Sequence, residues 1–69
     1  MPLSMTGIGE TAFVKKVGGS EEMRKYLGTL GFVAGSCVSV VAKTGENVIV
    51  SVKESRIAIS REMARRIMV

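Results

Sequence analysis

Few side chains in this sequence could do chemistry. It holds one cysteine, Cys37, six glutamates and ten basic residues, with no histidine and no aspartate. Proton transfer near neutral pH most often uses histidine, with carboxylates as the other common choice. Glu10, Glu21, Glu22, Glu46, Glu54 and Glu62 are scattered and fit no catalytic motif. No Ser/His/Asp or Cys/His set can be assembled. The chain therefore reads as a binding protein and not an enzyme. Cys37 could be a soft metal ligand, but metal sites need several donors and no second thiol or imidazole exists to complete one. The five methionines read as packing residues, with Met23 in the core and Met1 and Met5 terminal. No metal or cofactor site is expected.

Seven of the ten basic residues fall in three groups: Lys15-Lys16, Arg24-Lys25, and Arg61 with Arg65-Arg66. They could be phosphate contacts. Dispersed along the chain, they read rather as a solvated basic surface. Single-stranded nucleic acid also calls for exposed aromatic platforms. Phe13 and Phe32 are expected to be buried, which leaves only Tyr26, so no nucleic acid is expected as a partner. Arg24 or Arg61 could act in trans as an arginine finger on a transferring phosphoryl group, but nothing in the spacing selects one. Tyr26 stands at the edge of an apolar helical stripe, where its ring can pack while its hydroxyl stays wet. That is a habit of interface residues, and it equally suits a tyrosine that lids a barrel.

The elements that must carry these residues are short. Pro2 to Gly9 reads as an irregular lead-in. Glu10 to Val17 reads as a first strand, ended by Gly18-Gly19. Ser20 fits a helix N-cap, with Glu21 and Glu22 in the first turn. Met23, Tyr26, Leu27 and Leu30 share one helical face, Glu21 and Lys25 form an i, i+4 pair, and Gly28 lies inside the helix. Gly31 is the left-handed stop that places Phe32 back on Leu27. Ser36 to Lys43 reads as a second strand, with Val38, Val40 and Ala42 on one face and Cys37, Ser39 and Val41 on the other. Thr44 to Asn47 is a hairpin loop. Val48, Val50 and Val52 form the inner face of a third strand. A turn at Glu54-Ser55 leads to a fourth strand, Arg56 to Ile59. Ser60 caps a single helical turn through Arg61, Glu62 and Met63, and Ile67-Met68-Val69 is a last strand.

Length and composition bound the whole. The 69 residues make one domain, 1–69. Apolar residues are 46% of the chain, rich in valine and isoleucine, which favours a β-branched core. The formal net charge is +4. A lone thiol without a secretory signal fits a reducing cytosol, and no apolar run approaches the roughly 20 residues of a membrane helix. The prediction is a mainly β chain, a small barrel of about five strands with one short α-helix and a C-terminal helical turn, closed to remove its edges.

These signals, in this order, resemble the FeoA family of ferrous iron transport proteins, which adopt an SH3-like barrel. Pro2-Leu3-Ser4 with Gly9 resembles the family's opening. Leu27, Leu30-Gly31-Phe32 and Gly35 resemble its helix end and following turn, and Val38 and Val40 its second strand. Ile57-Ala58-Ile59, then Ala64, Ile67 and Val69, resemble its ending. Ala34 and Ile59 depart from the proline and leucine the family often has there. The resemblance implies a cytosolic accessory of FeoB, a membrane ferrous iron transporter with a GTP-binding domain. It also implies a link to transition metals. A similar barrel ends the DtxR-type iron-dependent repressors, so the alternative is a nucleic-acid-binding or metal-dependent regulator module. For the transporter reading, the expected contact surface is Arg24, Lys25 and Tyr26 on the helix, with Arg65, Arg66 and Met68 near the C-terminal end. A basic rim around an apolar anchor suits an acidic partner.

Overall fold

The computed structural model describes residues 1–69. A 3₁₀ turn at Leu3–Met5 is followed by β1 (Thr11–Phe13), β2 (Lys16–Val17), α1 (Glu21–Thr29) and β3 (Cys37–Thr44). Then come β4 (Asn47–Val52), β5 (Ser55–Ser60), α2 (Arg61–Arg66) and β6 (Ile67–Met68). The strands form an antiparallel sheet in the order β1-β3-β4-β5 and a two-stranded ribbon, β2-β6. No ladder joins the sheet to the ribbon, so the SH3-like barrel is open where closure was expected.

The opening lies in the segment expected to be one strand. The Val14 N–H donates to the Ser36 carbonyl at 2.9 Å, continuing the β1-β3 ladder, but the Lys15 N–H donates to Met68 at 2.7 Å. The chain thus passes from one sheet to the other between Val14 and Lys15, and Glu10 to Val17 is two strands, not one. Val14 faces the core, so Phe13 faces away from it. Phe13 is 64% exposed, against the expected burial, while Phe32 is buried.

Helix α1 forms as its sequence dictates. The Ser20 hydroxyl accepts from the Met23 N–H at 3.1 Å, which satisfies one of the unpaired donors of the first turn. At the other end, Gly31 has φ +106°. Its N–H donates to Gly28 at 3.0 Å and the Phe32 N–H to Leu27 at 3.0 Å, the paired bonds of a Schellman motif. Ser60 caps α2 in the same way, accepting from the Met63 N–H at 3.2 Å. That helix runs to Arg66, beyond the expected single turn, because Ala64 is fully buried and holds its second half against the core.

The core joins the valine faces of β3 and β4 to Leu27, Phe32, Ile59 and Ile67, with Leu30 packed at its margin. Leu3, at 0% exposure, belongs to this core, so the lead-in is anchored rather than irregular. Val38 pairs with Val52 and Val40 with Val50, but Ala42 pairs with Ile49 and Lys43 with Val48. A bulge at Val41 and Ala42 therefore separates two registers. Ala42 leaves the valine face where it was expected, and Lys43 takes its place. The second hairpin turns at Lys53 and Glu54, with φ of 50° and 66°, one residue before the expected site, so β5 begins at Ser55. No helix is long and apolar enough to cross a membrane.

Candidate functional site

The exposed face of α1 follows from its buried one. Leu27 is fixed in the core, so Arg24, Lys25 and Tyr26 project outward. Tyr26 is 51% exposed, and its hydroxyl has no hydrogen-bond partner within the chain. Lys25 lies 4.0 Å from Glu21, an exposed pair of small energetic weight. Arg24 has no carboxylate within salt-bridge distance. Arg24 and Tyr26 lie about 200° apart around the helix axis, so they stand on opposite flanks of the exposed face with Lys25 between them, and Arg24 is the unpaired cation.

Arg66 meets the segment that leads into α1: its carbonyl accepts from the Gly18 N–H at 2.7 Å. Its methylenes lie 3.6 and 3.7 Å from where a side chain on Gly19 would begin, with Met23 Sδ on the other side at 3.1 Å. Its guanidinium donates to Glu62 at 2.9 Å. Arg65, one residue earlier on α2, lines a pocket with Ser4, Lys43 and Arg61. Consecutive helical residues leave the axis about 100° apart, yet both guanidiniums converge on the Glu62 carboxylate, Arg65 at 3.6 Å and Arg66 at 2.9 Å, so the two cations stand side by side. Met68 is half-buried, held between Lys16 across the ribbon and a bridge to Pro2. Of the six residues expected at a contact surface, the fold brings Arg66 to the start of α1. Arg65 adjoins Arg66 through Glu62 and also lines a pocket with Lys43, and Met68 keeps only a partial surface.

Two features lay outside the sequence reading. Phe13 stands opposite Cys37 in the β1-β3 register, and both side chains are exposed on the outer sheet face. Beside them, Thr11 and Ser39 share a hydroxyl contact at 3.2 Å. The neighbours of Phe13 across this ladder carry no charge, and Arg56 stands on β5 at the far side of the sheet. An aromatic platform is thus present but lacks flanking cations. The second feature is the Lys43 side chain, brought beside Arg61 and Arg65 by the bulge. No group of three or more Cys or Glu side chains is placed to share a metal ion.

The FeoA domain family model matches residues 1–69. Fe(2+) transport protein A of Methanocaldococcus jannaschii is 37% identical over 68 residues, 99% of this chain and 83% of that protein. Among solved structures, an iron uptake regulatory protein (FeoA) superposes with a TM-score of 0.92 at 31% identity, covering 100% of this chain and 93% of that one. The zinc complex of Stenotrophomonas maltophilia FeoA, described as a prokaryotic SH3 domain protein, gives 0.88 at 33% identity, covering 100% and 88%. A manganese-dependent transcriptional repressor gives 0.88 at 18% identity, with this chain covering 39% of it, a likeness of fold alone.

Proposed function

The chain belongs to the FeoA family, and on that premise we propose that it is a cytosolic, non-catalytic accessory of ferrous iron transport. The match along all of residues 1–69 carries this reading. The finer proposal is that domain 1–69 docks on the cytosolic part of a FeoB-type transporter and modulates it by contact. The docking surface is Arg24, Lys25 and Tyr26 on α1, extended by Arg66 where it meets Gly19, with Met68 at its margin. Arg65 adjoins this surface, since its guanidinium meets the same Glu62 carboxylate as that of Arg66.

The physical support is the half-exposed Tyr26 ring on one flank of α1 and the unpaired Arg24 on the other, with Lys25 between them. An aromatic anchor supplies affinity when it is desolvated, and a basic rim steers encounter with an acidic surface. The test is an NMR titration with the transporter's soluble domain, with and without guanine nucleotide. Folded Tyr26→Ala and Arg24→Glu variants are compared with the wild type. Shifts centred on α1 and weakened in both variants are expected. No shift in either nucleotide state overturns soluble-domain docking. Equal binding by wild type and both variants overturns the surface but not the partner. A regulator role in nucleic-acid binding would instead show as salt-dependent binding to random duplex.

A further inference from the structure

Ser4, Lys43, Val48, Arg61 and Arg65 line a pocket of about 290 Å³. Three elements build it. The bulge in β3 puts Lys43 opposite Val48, on the inward side of its hairpin. Its Nζ donates to the Ser4 carbonyl at 3.2 Å, which spends one of three donors and leaves two free. Arg61 and Arg65 are four residues apart on α2, so they project from one side of the helix. Val48, at 1% exposure, is the apolar floor.

The charges do not balance. Like charges at i, i+4 repel, and Lys43 adds a third cation. One carboxylate approaches them: Glu62 lies 3.6 Å from Arg65, and the same carboxylate binds Arg66 at 2.9 Å. Arg61 and Lys43 have no carboxylate within salt-bridge distance. A fold that turns a lysine inward to face two arginines leaves a site needing negative charge.

We propose that this pocket binds a phosphate group in its doubly charged form. Guanidinium forks match phosphate oxygens bidentately, and a lysine ammonium meets the same group as a point charge. A lone carboxylate would answer one fork and leave two cations unmatched. The volume equals roughly ten waters' share of the liquid, so the group can be a free ion or the end of a phosphate ester. The pocket does not depend on the docking surface of α1, and the failure of either leaves the other standing.

The experiment is an NMR titration of amide and arginine side-chain signals at fixed ionic strength. The probes are inorganic phosphate and a nucleoside triphosphate, with acetate as control. Saturable shifts are expected at Ser4, Lys43, Arg61 and Arg65. Arg61→Gln is expected to weaken binding about tenfold, as the loss of a charge-assisted hydrogen bond does, with an unchanged melt. The Arg61 side chain makes no hydrogen bond within the chain, whereas Lys43 holds Ser4, so Arg61 gives the cleaner variant. Tighter binding of the nucleotide assigns the site to an ester, and equal binding assigns it to the free ion. Equal shifts at Lys15, Lys16 and Arg24, equal shifts with acetate, or unchanged affinity in Arg61→Gln would each overturn the proposal.

Discussion

The Phe32 N–H donates to the Leu27 carbonyl at 3.0 Å, and both side chains lie in the core at 1% and 0% exposure. One backbone bond therefore stops α1 and fixes the direction in which the chain enters the loop toward β3. It exists because Gly31, between them, takes φ +106°.

Gly31→Ala is expected to destabilise by about 1–2 kcal/mol, the cost of left-handed backbone for a residue with a Cβ. Gly31→Val should cost more. A side chain there also begins 3.4 Å from Val52 Cγ2 and from the Lys53 methylenes, so branching at Cβ brings further crowding. Chemical denaturation measures both. If Val proves no worse than Ala, packing above Gly31 is looser than this geometry requires.

The two phenylalanines give a sharper contrast. Phe32→Ala removes a fully buried ring, a loss of about 3–5 kcal/mol. That is comparable to the roughly 3–5 kcal/mol a core of this size supplies, so the variant should be largely unfolded at room temperature. Phe13→Ala, at an exposed strand position, should stay within about 1 kcal/mol of wild type. Equal losses at the two sites would contradict the outward orientation of Phe13.

What the sequence shows and hides follows from the range of each signal. Caps are local: Ser20, Ser60 and Gly31 act within a few residues, and all three are where their neighbours imply. The valine faces are nearly as legible, because period-two alternation survives within each straight segment. Alternation does not orient Phe13, because it cannot say where a strand leaves one sheet for another; that depends on Met68, at the far end of the chain, accepting from Lys15. The Lys43 pocket was hidden by the bulge, although the hairpin held a clue. A two-residue turn at Gly45-Glu46 pairs Lys43 with Val48, while the valine faces need Val40 opposite Val50. Those registers differ by one residue, so a bulge must lie between them.

The turn between β4 and β5 stores removable strain. Lys53 and Glu54 both have positive φ, the type I′ pattern that favours Asn-Gly. Replacing them together by Asn and Gly is expected to stabilise by about 1 kcal/mol, since non-glycine left-handed residues cost of that order. In a domain this small that corresponds to a melting temperature about 4–8 °C higher. An unchanged or lower melting temperature would show that the Lys53 methylenes, packed over Gly31, contribute as much as the strain removes.

Metal binding by one chain can be decided with the same measurement. Cys37 is the sole thiol, is exposed, and has Phe13 as its cross-strand neighbour. Among the glutamates, Glu10 accepts from the Gly7 N–H at 2.6 Å, Glu21 is near Lys25, and Glu62 serves two arginines. Any ion drawing these together would have to break existing contacts and gather donors from separate elements. The expected outcome is no tight ferrous or zinc site within the monomer. A site with a Kd of 1 μM, at 100 μM free metal, would add about 2.7 kcal/mol to stability. For a domain of this size that is a rise in melting temperature on the order of 10 °C or more, too large to miss. Anaerobic titration with Fe²⁺, and separately with Zn²⁺, should move the melt by far less. A stoichiometric, submicromolar site in the monomer would refute this reading. Binding that grows with protein concentration and is lost in Cys37→Ser would place the metal between two chains, with the exposed thiol as a shared ligand.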